Sequence, residues 1–290
     1  MLKSYVKLMR VKQYIKNLLI LLPAIFSGVI FDFEKTAFRL VLGVLCFSLM
    51  ASTVYIINDI FDREKDRLDE QKLKSRPIAN GTIPVTHASV LTCILLICSI
   101  GLMIYLRGFV HIILFSYLMI NVLYSKVLKN IPVIELFCVG VFYLIRVLYG
   151  ALLCEVEISS YMFIMVLMMS LMIVCDKRKL ECKKNRNSRP VLLAYSYEFL
   201  NISSYLGCGL GIMNYIIWIY AHVNTQFDST WMLISVLIMI ILLVYFQWVC
   251  DVQAADTKLS DPVEIIYKNQ IMMGLMFLYG VTVVIAYYMK

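Results

Sequence analysis

Residues 58–66 read Asn-Asp-Ile-Phe-Asp-Arg-Glu-Lys-Asp and directly follow a long apolar run. Asn58, Asp62 and Asp66 are spaced four residues apart, so on a helix they project from one face at intervals of one turn. Amide and carboxylate oxygens at the end of a membrane helix suit Mg²⁺ that carries a diphosphate, because Mg²⁺ is commonly held by few carboxylates together with substrate phosphates. The alternative is a solvated charge cluster beside a transmembrane segment. Basic residues later in the same loop favour the phosphate site.

The composition of the chain is that of a membrane protein. Its 290 residues are 61% hydrophobic and only 16% charged, which would leave a soluble domain without a water-facing surface. A helix needs about twenty apolar residues to cross a bilayer. The sequence therefore predicts an all-α integral membrane protein with nine transmembrane helices, at residues 17–33, 37–57, 84–106, 109–128, 131–153, 159–175, 198–221, 231–250 and 269–289. Pro23 is expected to kink the first of them.

The distribution of basic residues predicts the orientation in the membrane. Of the 27 Lys and Arg residues, most fall in segments on one side of the nine-helix arrangement; the exceptions are Lys35, Arg39, Arg107, Arg146 and Lys290. By the positive-inside rule that side is cytoplasmic, which predicts a multi-pass protein of the cell (inner or plasma) membrane with a cytoplasmic N-terminus. The net charge of +8 is therefore expected to face anionic lipids or phosphorylated substrates, and no nucleic acid.

Cysteine and histidine do not form a recognisable metal or redox motif. The nine cysteines include no Cys-x-x-Cys pair, and the three histidines lie far apart in the sequence. We therefore interpret the cysteines as small apolar residues of the helices.

Two long charged loops, about 58–83 and 176–197, lie on the predicted cytoplasmic side. In each, acidic residues after a helix precede a basic stretch and then Ser-Arg-Pro with an apolar residue, at 75–78 and at 188–191. The match suggests two pseudo-repeated halves, with coincidence between two basic loops as the alternative. No linker divides the chain, so residues 1–290 are predicted to form a single membrane domain.

The motif at residues 58–66 resembles the first signature of the UbiA superfamily of intramembrane prenyltransferases. Further stretches are similar to one part of that superfamily, the decaprenyl-phosphate phosphoribosyltransferase-like branch. They are Lys12–Asn17 with Pro23, Asn58–Pro84, Tyr124–Lys126 with Leu128 and Lys129, Lys177–Glu181, and more weakly Arg146 with Gly150 and Asp261–Glu264. The resemblance covers nearly the whole chain and implies a UbiA-type helical bundle with active-site loops on the cytoplasmic side.

The chain departs from the wider superfamily at the second motif. Superfamily members that act on aromatic rings usually carry a second Asp-x-x-x-Asp there, which helps to hold a second metal ion. Here residues 176–181 read Asp-Lys-Arg-Lys-Leu-Glu. Arginine binds phosphate through paired hydrogen bonds and lysine as a compact charge, so three consecutive cations favour a phosphorylated acceptor over an aromatic ring.

The resemblance implies transfer of 5-phosphoribose from 5-phosphoribosyl 1-diphosphate to a polyprenyl phosphate, with Mg²⁺ as cofactor and diphosphate as the leaving group. The same resemblance implies that the product feeds cell-wall biosynthesis or surface polysaccharides. The acceptor phosphate is already anionic at neutral pH, so no strong general base is required and no catalytic histidine is expected. We expect direct displacement with inversion at the anomeric carbon.

Two other functions stay open from the sequence. One is a prenyltransferase that attaches an isoprenoid chain from a polyprenyl diphosphate to an aromatic or tetrapyrrole acceptor. The other is a membrane lipid-phosphate carrier or transporter, although such a protein would be expected to carry its acidic residues at mid-membrane depth. In each of these functions the protein has the lipid bilayer as a partner. The sequence does not decide whether the chain forms a homo-oligomer.

The expected site residues follow from the motif and from the resemblance. Asn58, Asp62 and Asp66 are the predicted catalytic and metal-binding residues, and Asp59 is a further predicted metal ligand. The predicted substrate-binding residues are Lys16, Tyr55, Lys72, Arg76, Tyr124, Lys126, Arg146, Lys177, Arg178 and Glu181, with Glu181 expected to orient one of its basic neighbours.

Several of these residues have a plain structural alternative. Lys16, Tyr55, Tyr124 and Lys126 lie near helix ends, where membrane proteins commonly carry anchoring aromatic and basic side chains. Arg146 lies deep within a predicted span, where an arginine is costly and normally faces a cavity or a buried partner. We hypothesise that Arg146 contacts a substrate phosphate, and a buried structural ion pair is the alternative.

Overall fold

A computed structural model describes residues 2–31, 33–69, 73, 75–222, 227–253 and 262–289. The α-helices are α1 Leu2–Leu8, α2 Leu22–Phe26, α3 Phe33–Phe61, α4 Arg63–Arg67, α5 Val85–Leu106, α6 Val110–Lys126, α7 Ile134–Cys154, α8 Ser160–Lys184, α9 Pro190–Ala194, α10 Tyr197–His222, α11 Ser229–Gln253, α12 Val263–Lys268 and α13 Gln270–Tyr288. Short 3-10 helices cover Val11–Leu21, Val29–Phe31, Leu128–Asn130 and Arg186–Ser188.

Seven of the described helices are long and apolar enough to cross a membrane, namely α3, α5, α7, α8, α10, α11 and α13. Helix α6 is also apolar but has 17 residues, which is at the lower limit for crossing a bilayer. The structure therefore confirms an all-helical protein with several candidate membrane helices. The predicted number of nine is not confirmed.

The first predicted span, residues 17–33, is not one continuous helix. The 3-10 helix Val11–Leu21 leads into α2, and Pro23 occupies the first turn of α2, where its missing N–H costs no helical hydrogen bond. Gly28 follows α2 with a φ of 77°, a conformation that glycine adopts without steric cost. The kink expected at Pro23 is thus a change from 3-10 to α geometry, followed by a break at Gly28.

Residues 1–128 and 145–157 form one compact unit, called unit 1 here. Helix α3 packs against α5, α6 and the 3-10 helix Val11–Leu21. The ring of Phe47 lies in its core, 4.8 Å from the ring of Tyr117 and 5.3 Å from that of Tyr149, measured between centroids. Gly150 lets α7 approach the 3-10 helix closely, because a Cβ at this position would lie 2.0 Å from the carbonyl oxygen of Ile20.

Residues 129–144 and 158–290 form a second compact unit, called unit 2. Helix α8 packs along α10, and α11 packs along α13. Met172, Phe246 and Met272 belong to one buried apolar cluster of this unit. Helix α7 belongs to unit 2 up to Leu144 and to unit 1 from Ile145. The single membrane domain and its two pseudo-repeated halves stay predictions.

Candidate active site

The acidic motif lies where α3 passes into α4, and its backbone keeps the spacing expected from the sequence. Asp62 lies between the two helices, with φ −90° and ψ 3°. The N–H of Asp62 donates to the carbonyl oxygen of Asn58 at 2.9 Å, and the N–H of Asp66 donates to the carbonyl oxygen of Asp62 at 2.8 Å. Because each hydrogen bond spans four residues, Asn58, Asp62 and Asp66 follow one another by about one helical turn.

Two arginines of unit 1 contact the carboxylates of this motif. Asp59 is 3% exposed, and its Oδ1 accepts hydrogen bonds from Arg10 and, at 2.6 Å, from Nη1 of Arg76. The same Nη1 lies 2.7 Å from Oδ2 of Asp66. The guanidinium group of Arg10 also lies over the ring of Tyr55, 5.0 Å from its centroid. Asp59 is thus occupied by two cations, and these contacts do not favour the metal-ligand role predicted for it.

The end of α6 contacts the same motif. The hydroxyl of Ser125 donates a hydrogen bond to Oδ1 of Asn58. The ammonium group of Lys126 lies 5.4 Å from the ring centroid of Phe61, the last residue of α3. Tyr124 precedes Ser125 on α6 and is half-buried. The structure therefore brings the predicted residues of α6 to the end of α3, and their substrate-binding roles stay predictions.

The side chains of the motif fit a magnesium ion that arrives with a diphosphate. Among the residues that the structure describes, no three His, Cys, Asp or Glu side chains are placed to hold a metal ion by themselves. Mg²⁺ does not need such a cage, since it is usually bound by one or two carboxylates, substrate phosphates and water. Asn58, Asp62 and Asp66 offer only hard oxygen ligands, the type that Mg²⁺ prefers.

Arg146 is buried in unit 1 among aromatic and amide side chains. Its Nε donates to Oδ1 of Asn17 at 2.9 Å, and its Nη2 lies 3.5 Å from the hydroxyl of Tyr117. The guanidinium group is 5.0 Å from the ring centroid of Phe47. Lys16, next to Asn17, is half-buried. The described contacts hold Arg146 within the helix packing, and its contact with a substrate phosphate stays a prediction, as does the role of Lys16.

Arg178 of unit 2 is held by two carboxylates. Its Nε and Nη2 donate to the two oxygens of Glu135 at 2.7 and 2.6 Å, and its Nη1 donates to Glu181 at 2.6 Å. Glu135 is fully buried. Oε2 of Glu181, which accepts the hydrogen bond from Arg178, also lies 3.2 Å from Nε of Arg189. The donors of Arg178 are therefore directed at protein carboxylates. Its neighbour Lys177 is half-buried and is more accessible to an anion.

The hydroxyl of Tyr195 completes the group around Glu135. It accepts a hydrogen bond from the backbone N–H of Val133 at 2.8 Å and lies 3.5 Å from Oε1 of Glu135. Burial raises the pKa of Tyr195 to about 12. Tyr195 therefore keeps its proton at neutral pH, and its hydroxyl donates a hydrogen bond to Glu135.

The structure adds contacts that sequence reasoning missed, and one prediction lies outside it. Lys72 is not among the described residues. Polar residues that contact predicted ones without having been predicted include Arg10, Asn17, Tyr117, Ser125, Glu135 and Arg189. Arg189 had a signal in the sequence, because it holds the same place in its Ser-Arg-Pro segment as Arg76 does in the first, and each arginine pairs with a carboxylate of its own unit.

Comparison with known proteins places the chain in a family. The sequence pattern of the UbiA prenyltransferase family matches residues 20–260. A decaprenyl-phosphate phosphoribosyltransferase of Mycolicibacterium smegmatis is 25% identical over 287 residues, which cover 94% of this chain and 88% of that protein. The protein of the same name from Mycobacterium tuberculosis is 28% identical over 239 residues, which cover 80% of this chain and 78% of that protein.

Among solved structures, a UbiA homologue from Archaeoglobus fulgidus bound to GPP and Mg²⁺ superposes with a TM-score of 0.72. The sequence identity is 18%, and the superposition covers 97% of this chain and 99% of that one. This likeness shows a shared fold, and it confirms the UbiA-type arrangement of helices that the sequence resemblance implied. The family pattern extends over most of the sequence, so the chain belongs to the UbiA prenyltransferase family.

Proposed function

We propose that this protein transfers 5-phosphoribose from 5-phosphoribosyl 1-diphosphate to a polyprenyl phosphate, at the cytoplasmic face of the cell membrane. The observation that carries the proposal is the pairing of the aspartate of the second motif, residues 176–181 in unit 2, with a lysine of the same helix. This aspartate, Asp176, is fully buried and lies 2.7 Å from the ammonium group of Lys179, so it is paired within the protein. Lys177 and Arg178 stand beside it, and cations of this kind suit an acceptor that carries a phosphate.

In the proposed reaction, unit 1 binds the diphosphate of the donor. Asn58, Asp62 and Asp66 would hold Mg²⁺, which, when bound, neutralises the charge that grows on the leaving diphosphate. Arg76 is 22% exposed and pairs with Asp59 and Asp66 of the motif, and Lys72 lies four residues before it in the sequence. Both are proposed to bind donor phosphates directly, and Tyr55 is a further proposed contact of the donor.

The acceptor phosphate is proposed to bind to the cations of unit 2 and to those at the helix ends. Lys177 would bind it directly. Arg178 would add positive charge at this place, with its guanidinium group held by Glu135 and oriented by Glu181. Lys16, Tyr124, Lys126 and Arg146 are the further proposed substrate contacts. The acceptor oxygen forms a bond to the anomeric carbon while the bond from that carbon to the diphosphate oxygen breaks. Because the attacking oxygen is already anionic, these residues have only to position it and balance its charge.

A second candidate is the transfer of an isoprenoid chain from a polyprenyl diphosphate to another acceptor. It is favoured by family membership and by the Archaeoglobus fulgidus homologue, which binds GPP with Mg²⁺. The two candidates differ in the donor, so they can be separated with labelled substrates.

The test is an assay with purified protein in detergent, given labelled 5-phosphoribosyl 1-diphosphate, a polyprenyl phosphate and Mg²⁺. We expect label in the lipid phase, loss of that product when divalent ions are chelated, and recovery on adding Mg²⁺ back. A parallel assay supplies a polyprenyl diphosphate with an aromatic acceptor. Product in the parallel assay, with no lipid-phase label in the first, would establish the second candidate and refute the proposal.

A further inference from the structure

The ammonium group of Lys179 is enclosed by oxygen atoms from three helices of unit 2. It lies 2.7 Å from Oδ1 of Asp176 on α8, 3.0 Å from Oδ1 of Asn201 on α10 and 3.1 Å from Oδ1 of Asp251 on α11. The side chain of Lys179 is 2% exposed and that of Asp176 is fully buried. A buried lysine of this kind keeps its charge only where anionic partners surround it.

Further polar groups bind the two carboxylates of this cluster. Ser204 donates to Oδ1 of Asp176 at 2.7 Å, and Nε2 of Gln247 donates to Oδ2 of Asp176 at 2.9 Å. The hydroxyl of Tyr205 donates to Oδ2 of Asp251 at 2.6 Å. Each carboxylate that binds the ammonium group is thus fixed from its other side.

One acceptor in this cluster has no partner. Oε1 of Gln247 is buried and makes no hydrogen bond with any described part of the chain, while the other amide atom of the same side chain binds Asp176. A buried carbonyl oxygen without a donor is costly. Among the described residues, the amide oxygen of Gln247 is therefore left unsatisfied on a side chain whose nitrogen binds this cluster.

The charges around Lys179 do not balance. Two carboxylates, Asp176 and Asp251, share one ammonium group, which leaves a net negative charge. A divalent ion in the same position would balance both carboxylates, and the surrounding carboxylate and amide oxygens are the ligands that Mg²⁺, Mn²⁺ and Ca²⁺ prefer.

We propose that Lys179 is a resident cation, which means that its ammonium group supplies the positive charge at a site where a metal ion could bind. Once the lysine side chain is removed, this site binds a divalent metal ion. Lys179 joins α8, α10 and α11 from within the protein, so unit 2 needs no metal ion at this position. It also fixes the part of α8 that carries Lys177 and Arg178. Lys179 has this role whichever substrates the protein takes.

The test compares Lys179→Ala with the parent protein and with Lys183→Ala. Lys183 is an exposed lysine one turn further along α8, over the ring of Tyr197, so it controls for the loss of one positive charge from this helix. For each protein, the thermal unfolding midpoint is measured with a chelator and with Mn²⁺, and bound Mn²⁺ is counted by electron paramagnetic resonance.

With the chelator, Lys179→Ala is expected to unfold at a lower temperature than the other two proteins, because two carboxylates lose their counter-charge. When the free Mn²⁺ concentration is about a hundred times the dissociation constant, the unfolding midpoint of Lys179→Ala should rise by roughly 5 °C more than the midpoints of the other two proteins. It should also bind one Mn²⁺ more per chain than the parent. The double variant Lys179→Ala with Asp176→Asn should lose this additional response.

Equal Mn²⁺ stoichiometry and equal shifts in Lys179→Ala and the parent would overturn the proposal. If Lys179→Ala does not survive purification with the chelator, it is purified in Mn²⁺ instead. Recovery of folded protein only with Mn²⁺ supports the resident-cation role, whereas failure in both buffers overturns it.

Discussion

At the scale of single residues, the acidic side chains of the first motif have different environments. Asp59 is buried against Arg10 and Arg76, whereas Asp62 lies half-buried at the junction of α3 and α4. Asp66 contacts Arg76 as well. We therefore propose that Asp59 positions the arginines and that Asp62 contributes most to the proposed binding of the metal ion.

Replacing Asp62 tests this assignment. Asp62→Asn should lower the turnover number by about a hundredfold or more, because loss of a metal ligand removes several kcal/mol of charge stabilisation. Glu64→Gln is the matched control, since Glu64 is 75% exposed and contacts Arg63 and Arg67 at the surface. Its turnover should stay within about twofold of the parent. Turnover of Asp62→Asn within about twofold of the parent would contradict the proposed metal-binding role of Asp62.

The spacing of the motif could be predicted from the sequence, whereas its arginine partners could not. Four-residue spacing is a local property of helices, and the backbone hydrogen bonds through Asp62 preserve it. The contact between Arg10 and Asp59 joins residues 49 positions apart, and so depends on how α3 packs against the N-terminal segment. In the sequence, Arg10 is one of several basic residues in a positively charged N-terminus.

At the scale of helices, hydropathy located most long elements because each must keep an apolar surface along its length. The predicted spans at 84–106 and 131–153 correspond to α5 and α7. The prediction fails for residues 17–33, where Pro23 and Gly28 interrupt an apolar run with short helical pieces. Hydropathy detects the apolar run but not the backbone geometry within it.

The close approach at Gly150 gives a prediction about packing. Gly150→Ala should destabilise the protein by about 1–3 kcal/mol, because the added methyl group meets the backbone of Ile20 rather than a movable side chain. Gly101→Ala on α5 is the control, since no described atom beyond its chain neighbours and its own helix backbone lies within 4 Å of the added Cβ. This substitution should be neutral or stabilising by up to about 1 kcal/mol. The measurement is chemical unfolding in detergent, and an equal effect of both substitutions would contradict the packing described here.

The buried pair of Glu135 and Arg178 gives a second prediction at this scale. Glu135→Gln should cost about 3–5 kcal/mol of unfolding free energy, because it leaves the guanidinium group buried without one of its carboxylates. The exposed pair of Arg39 and Glu155 provides the control, and Glu155→Gln should cost about 1 kcal/mol or less. Adding Arg178→Gln to Glu135→Gln should restore part of the loss. A double variant no more stable than Glu135→Gln alone would show that the pair is not coupled.

At the scale of the whole molecule, the distribution of basic residues predicts which loops face the cytoplasm. In a variant whose nine natural cysteines are replaced, Asn187→Cys should react with a membrane-impermeant maleimide only from the cytoplasmic side. Thr230→Cys, at the start of α11, should react only from the opposite side. Both positions are exposed in the structure, so access depends on the membrane alone. Labelling of both from one side would contradict the predicted orientation.

The proposed transfer is tested most directly by following the two halves of the donor separately. In one assay 5-phosphoribosyl 1-diphosphate carries the label in its ribose, and in the other it carries the label in its diphosphate, with a polyprenyl phosphate and Mg²⁺ present in both. We predict that the ribose label enters the lipid phase, and that the diphosphate label appears in water as free diphosphate in an equal molar amount. Diphosphate label in the lipid phase, or no lipid-phase label from either donor, would contradict a phosphoribosyl transfer.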